Sequence, residues 1–492
     1  MGGQWSGEGA TVPYDDPSAI PARPPPPRLP VEQARADAAA RISVSLVPPR
    51  SRTRSAPAAA RPAAATGLSY GVERATLDNG LRVVLSPDPS SPVVAVAVYY
   101  DVGMRSEPEG RTGFAHLFEH LMFQGSASLG KTEHFTYVQG NGGTLNGSTH
   151  VDYTNYFEVM PSSATELALF LEADRMRSVA VTQDNLDNQI AVVQNEIRVN
   201  VLNRPYGAFP WLNIPPVLFD DFANSHNGYG DFVDLESSTV QDAKQFFDRY
   251  YAPGNAVLTV VGDIDTAQVL DWVKQHFGDI EARSVPERSS FAEPLPQQER
   301  RAVAYDQLVP TPAVAMAWRV PDPADLDTYL PYVVLAEVLT DGDASRLQER
   351  MLLEDRSATS ISGYLGLLGD PLDARDPTPF LLEVHHPQET SLETVVTTVD
   401  DELERLATGG LLPGELDRTV ARMNSRYLRE VDSVLGRATA MSVFEQQRGR
   451  AELVNELPDL LRQVTAEAVQ AAAATLTPTT RTLLELRPGS EA

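Results

Sequence analysis

The chain has 492 residues, 42% of them hydrophobic, enough to fill the cores of more than one domain. Its formal net charge of −27 argues against nucleic acid as a partner, because phosphate binding depends on clustered Lys and Arg. No cysteine is present, which excludes disulfides, thiolate chemistry and cysteine-ligated zinc.

Residues 1–66 read as a disordered arm, with a Pro run at 24–27, Ala/Pro/Arg/Ser-rich stretches such as 56–65 and little aromatic content to bury. The arm lacks the basic-then-apolar layout of a secretory signal. No run of about 18 apolar residues occurs anywhere, so no membrane span or membrane partner is expected. A cytoplasmic location is the expectation.

Strands are predicted at 80–85 and 93–102, the second a nearly continuous Val/Ala/Tyr run. A helix follows over 112–125, with Thr112 as N-cap and Gly125 as stop. A turn containing Gly140, Gly142 and Gly143 leads into a strand at 151–160. Helices fit 163–178, 184–200, 239–251 and 266–277, with an apolar strand at 256–261 before the last. Residues 282–300 are polar and Pro-containing, as a linker would be. Beyond them, strands at 313–320, 359–367 and 379–385 surround a helix at 327–340. Helices dominate 390–476 and a strand at 481–487 closes the chain.

The two halves read as a diverged duplication. Val-Ala-Val-Ala-Val-Tyr-Tyr before the first buried helix resembles Ala-Val-Ala-Met-Ala-Trp-Arg before the second. Laying the two helices together sets His116, Glu119 and His120 opposite Val333, Ala336 and Glu337, so only the first half can hold a metal.

The chemistry concentrates in His116-Leu117-Phe118-Glu119-His120. Positions i and i+4 share a helix face, so both imidazoles can reach one ion, and Glu119 at i+3 can touch a water on it. This is the reversed zinc motif His-x-x-Glu-His. The flanking residues Phe114, Ala115, Leu117, Phe118, Leu121, Met122 and Phe123 make the helix apolar nearly all round and hence buried. Two imidazoles and a carboxylate inside such a helix need compensation, which a divalent metal supplies. A third protein ligand is needed to complete a catalytic zinc site; Glu166, Glu172 and Glu196 lie on the helices downstream, and spacing alone does not choose among them.

The stretch His-Leu-Phe-Glu-His-Leu-Met-Phe-Gln-Gly-Ser resembles the active-site helix of the pitrilysin/insulinase family of zinc peptidases, which includes the mitochondrial processing peptidase. Gly-Gly-Thr-Leu-Asn-Gly-Ser-Thr at 142–149, followed by Asp152 and Tyr153, resembles the family's substrate-side strand. Leu-Glu-Ala-Asp-Arg-Met at 171–176 and Val-Val-Gln-Asn-Glu-Ile-Arg at 192–198, then Pro205-Tyr206-Gly207, resemble the segments that follow. The resemblance covers about residues 70–490. It implies an α+β fold of two homologous domains, each a mainly antiparallel sheet with helices packed on one face. It also implies Zn2+ held by His116, His120 and Glu196, Glu119 as general base, and peptide backbone bound along Gly142, Gly143, Thr144, Leu145 and Asn146. Some members carry a further Glu two turns before the ligand; Gln189 stands there and could orient a ligand but not act as an acid. The implied organisation is a zinc-binding catalytic domain at 67–281, a linker at 282–300 and a homologous non-metal-binding domain at 301–492.

Members of the family also grip substrate with an Arg and a Tyr just after a Ser-Arg-Leu segment, here Ser345-Arg346-Leu347. Leu352 and Thr359 occupy those positions, and neither can replace the donors. In some bacterial members a homologous partner supplies the pair. The expectation is therefore a zinc metalloendopeptidase for short or unfolded peptides, acting as the catalytic half of a heterodimer. The competing expectations are a non-catalytic scaffold or a peptide-binding subunit of the same fold.

Overall fold

Two antiparallel-rich sheets, one from each half of the sequence, organise the computed structural model, which describes residues 67–376 and 378–490. The arm expected over residues 1–66 lies outside the described residues.

The first half contains β1 (Glu73–Thr76), β2 (Arg82–Pro87), β3 (Val93–Tyr100), α1 (Phe114–Leu121), α2 (Glu133–Gly140), β4 (Thr144–Thr149), β5 (Thr154–Pro161), α3 (Thr165–Arg177), α4 (Gln183–Ile197), α5 (Val240–Tyr250), β6 (Ala256–Gly262) and α6 (Thr266–Phe277). Its strands lie in the order β1-β2-β6-β3-β5-β4, which places β4 at one edge. The second half contains β7 (Arg300–Asp306), β8 (Ala313–Arg319), α7 (Leu326–Thr340), β9 (Ser360–Leu365), β10 (Pro379–His385), α8 (Leu392–Gly409), α9 (Glu415–Val431), α10 (Val434–Arg448), α11 (Leu453–Gln463), α12 (Ala466–Thr475) and β11 (Thr482–Pro488). Its sheet runs β7-β11-β8-β10-β9. The repeat is visible in this order: β3, β5 and β4 correspond to β8, β10 and β9, and α1 packs by β4 as α7 packs by β9. Among the described residues, no helix is long and apolar enough to cross a membrane.

The apolar runs follow from which faces are covered. In β3, Val94, Val96 and Val98 face the first half's own helices, sharing a core with Phe114, Phe118 and Phe246. Ala95, Ala97 and Tyr99 point the other way, into a core with Met441 of α10 and Leu335 of α7. The alternation repeats in β8: Val314, Met316 and Trp318 join that same core. Ala313, Ala315 and Ala317 meet Phe209, Ile214 and Leu218 from the first half. Each sheet is thus closed on one face by its own helices and on the other by the opposite half. Strands buried on both faces lose the polar-apolar alternation of a half-solvated sheet, which is why β3 and β8 stand out in the sequence.

Local differences from expectation have local causes. The helix expected at 112–125 is shorter, and its N-cap is Gly113 at φ 79° rather than Thr112. A Cβ on Gly113 would overlap Gly230, so the close approach of those two backbones requires glycine there. The strand expected at 151–160 is the second arm of a hairpin, β4 and β5, with Thr149 opposite Thr154. Strands β1 and β7 escape the sequence pattern because each lies at a sheet edge and is largely wet.

Candidate metal centre

Helix α1 presents His116 and His120 one turn apart, their rings 5.0 Å between centroids and 77° between planes. Its apolar residues Phe114, Ala115, Leu117, Phe118 and Leu121 are buried, so core packing fixes the face on which the imidazoles emerge. Helix α4 crosses nearby and brings Glu196 between them: His116 Nε2 lies 3.6 Å from Glu196 Oε1 and His120 Nε2 lies 3.3 Å from Glu196 Oε2. Of the other two downstream carboxylates, Glu166 faces His276 at 3.4 Å and Glu172 is paired with Arg175. Immediately after Glu196 the helix loosens into a π-helical turn, Arg198–Leu202, a distortion that recurs at functional sites.

The donors fit zinc. One atom from each of His116, His120 and Glu196 lies within 4.8 Å of the others, and ligands about 2.0–2.1 Å from a tetrahedral zinc stand about 3.3 Å apart. His116 Nδ1 is 3.3 Å from the Tyr229 carbonyl oxygen, which fixes the proton on Nδ1 and leaves Nε2 free for an ion. Tyr229 also donates its hydroxyl to Glu196 Oε1 at 2.5 Å. Burial pushes the His116 imidazole down, yet the Glu196 and Glu119 carboxylates together hold it above its ordinary range. Hydrogen bonds from His116 and His120 hold the Glu196 carboxyl far below the usual carboxylate range. A cage that so favours positive charge accepts a divalent cation in exchange for protons.

Glu119, on the same face, accepts a hydrogen bond from Thr149 Oγ1 at 2.8 Å. Thr149 ends β4, whose only strand partner among the described residues is β5. On this strand Thr144 and Asn146 are exposed, Leu145 is half-buried, and Gly147 is buried against Glu119, where a Cβ would stand 3.2 Å from Glu119 Cγ. Gly142, at φ 80°, turns the chain into the strand, and Gly143 packs against Met160 and Val138. Gln189, buried two turns before Glu196, donates to Asn188 Oδ1 at 2.8 Å.

Sequence reasoning passed over several residues of the site. Thr149 was visible only as a member of the strand, and Tyr229 sits in an Asn-Gly-Tyr-Gly turn that carries no signal of chemistry. Glu107 is a third: its two oxygens accept from the Gly113 and Ala115 amides at 2.7 and 2.8 Å. It thereby caps α1 where glycine offers no side chain.

A second group of donors, His134, Glu158 and Glu172, is wholly buried and equally close. There the positive charge is already supplied: the Arg175 guanidinium pairs with Glu172, lies 3.9 Å from Glu158 and stacks 4.4 Å from the Tyr156 ring centroid. In the second half, Leu352 lies inside a π-helical turn, Gln348–Glu354, and Thr359 directly precedes β9. The nearby Arg346 is committed to Glu402 and Glu415, and Arg350 to Asp355.

The zinc protease PqqE of Helicobacter pylori is 29% identical over 372 residues, 73% of this chain and 80% of that protein. The crystal structure of a protease from Helicobacter pylori superposes with a TM-score of 0.78 at 26% identity, covering 85% of this chain and all of that one. The mitochondrial cytochrome b-c1 complex subunit 1 of Rattus norvegicus is 27% identical over 204 residues, 42% of each chain. Residues 82–206 match the family model described as Insulinase (Peptidase family M16), and residues 237–423 match the model described as Peptidase M16 inactive domain. With these two matches in the expected order along one chain, the protein belongs to the insulinase/pitrilysin family, peptidase family M16.

Proposed function

We propose that the chain is the zinc-bearing, catalytic half of a two-subunit metalloendopeptidase that cleaves short or unfolded peptides. The observation that carries this reading is the convergence of His116, His120 and Glu196 on one point, with Glu119 beside them and held by Thr149. Zinc bound there supplies the polarisation that makes water a nucleophile near neutral pH and draws charge onto the scissile carbonyl oxygen.

The chain's own residues do the rest. Glu119 accepts a proton from the attacking water and passes it to the leaving amine. The outer edge of β4 offers main-chain N–H and C=O groups to an extended peptide, so affinity comes from backbone pairing with little demand on side chains. Gly147, lacking a side chain, lets that strand run close against the base. His116, His120 and Glu196 act as ligands.

The substrate-gripping Arg and Tyr come from a homologous partner subunit, because Leu352 has no side-chain donor, Thr359 is too short to stand in for a tyrosine and Arg346 is already engaged. A non-catalytic role would suit the second half, which matches the model described as inactive; the full donor set of the first half favours catalysis. The test is cleavage of a quenched, unstructured peptide by the zinc-loaded chain, alone and mixed with a family subunit that carries the Arg/Tyr pair. The mixture is expected to be faster by about 100-fold, the usual effect of restoring one oxyanion donor. Equal rates would refute the partner, and no cleavage in either sample despite bound zinc would refute the peptidase.

A further inference from the structure

Tyr229 makes three separate contacts with two of the three candidate ligands, which no other side chain near the site does among the described residues. Its ring stacks on the His116 imidazole, 4.6 Å between centroids and 9° between planes. Its carbonyl oxygen meets His116 Nδ1 at 3.3 Å, and its hydroxyl donates to Glu196 Oε1 at 2.5 Å. The hydroxyl in turn accepts from Asn200 Nδ2 at 3.2 Å, so both its donor and its acceptor direction are assigned.

The tyrosine is itself held in place. Asn227 Oδ1 accepts from the Tyr229 amide at 3.0 Å, and its Nδ2 donates to the Gly230 carbonyl at 3.3 Å. Gly230 lies against Gly113 at the start of α1, which sets the turn directly above His116. Trp211 meets the phenol ring edge-on at 5.2 Å, and its own Nε1 is anchored on the Gly207 carbonyl at 2.9 Å. Two ligands on different helices, α1 and α4, are therefore referred to one rigid group that belongs to neither.

We infer that Tyr229 is a positioning residue of the metal centre: its carbonyl sets the His116 tautomer, its ring sets the imidazole plane and its hydroxyl sets the Glu196 carboxylate. The inference rests on the metal-site reading and deepens it. Outer groups of this kind orient ligands before the ion arrives, and their loss typically weakens metal binding by about 10–100-fold. Tyr229→Phe keeps the stack and the carbonyl and removes the hydroxyl's two bonds, to Glu196 and from Asn200. Asn200→Ala leaves the hydroxyl free to rotate, a smaller defect that acts through the same bond.

The test is zinc affinity by competition with a chromophoric chelator, together with the visible spectrum of the cobalt-substituted protein. Tyr229→Phe is expected to bind zinc about 10-fold more weakly or worse and to change the cobalt bands. Asn200→Ala is expected to lose less, and the double variant no more than Tyr229→Phe alone. The thermal midpoint of the zinc-free protein shows whether the variant folds, and the cobalt spectrum reports ligand geometry even if that midpoint falls. Tyr229→Phe with zinc affinity within two-fold of wild type and an unchanged cobalt spectrum overturns the inference while leaving the metal site standing. A wild-type protein that takes up no zinc overturns the metal-site reading and this inference with it.

Discussion

A carboxylate proposed as general base must stay aimed at the water, and the Thr149 hydroxyl donates to that of Glu119 at 2.8 Å. Hydrogen bonds to charged groups contribute about 1.5–3 kcal/mol, so Thr149→Val, which keeps the shape and removes the donor, is expected to lower kcat by about 10-fold or more. KM and bound zinc should stay near wild-type values, and Thr149→Ser should restore most of the rate. Equal kcat in the valine and wild-type enzymes would remove Thr149 from the mechanism. At this scale the sequence exposes ligands better than their supports. His116, Glu119 and His120 sit within five consecutive residues on one helix, a spacing that chemistry explains directly. Glu196 needed the family resemblance, since Glu166 and Glu172 are equally acidic and equally helical. Thr149, Tyr229 and Glu107 act through contacts between distant segments, and no local pattern encodes those.

Helix α1 begins with Gly113, whose backbone is left-handed and which has no side chain to cap the first amides. Glu107 does so instead, and its carboxylate meets His226 Nε2 at 3.0 Å. Burial raises the Glu107 carboxyl above its ordinary range. Burial also pulls the His226 imidazole down, but the Glu107 carboxylate, with backbone contacts from Phe222 and Met104, outweighs it and leaves His226 raised. A folded-state imidazole pKa above the unfolded value means that the contribution of the His226 charge is complete below about pH 6.5, so long as Glu107 stays ionised, and is lost as pH rises through the raised value. In zinc-free protein, His226→Gln is expected to cost about 1–3 kcal/mol at pH 6, and the gap to wild type should narrow by pH 9. Urea denaturation at the two pH values measures it, and a gap that is constant or widens would contradict this account of the cap. The elements themselves were legible where burial is extreme. The Val/Ala runs of β3 and β8 are covered on both faces, and helices α8, α9 and α11 carry clear amphipathic patterns. Edge strands β1 and β7, wet and polar, resemble loops until a neighbouring strand is seen beside them.

At the scale of the molecule, the two halves do not stand as beads on a string. Helix α10 of the second half lies on β3 and β6 of the first, where Ser442 donates to Thr259 across a buried interface at 2.8 Å. The hairpin that carries β4 is tied across as well. His150, just beyond β4, meets Asp373 at 2.7 Å, and Asp152 accepts from both the Arg105 side chain and the Arg375 amide. The second half therefore braces the strand beside Glu119 although it contributes none of the candidate metal ligands, which gives a physical reason for its retention. The duplication was readable from two apolar runs and two buried helices, but the interlocking was not, because it depends on which outer faces remain for the opposite half to cover.

The most direct test of the central claim measures zinc content and peptide cleavage on the same samples of wild type and Glu119→Gln, with the partner subunit present if cleavage requires it. This account predicts one zinc per chain in both proteins, and cleavage lower in the variant by at least about 100-fold, the contribution expected of a positioned base. Undiminished cleavage by Glu119→Gln, or zinc absent from a wild-type protein that still cleaves, would contradict it.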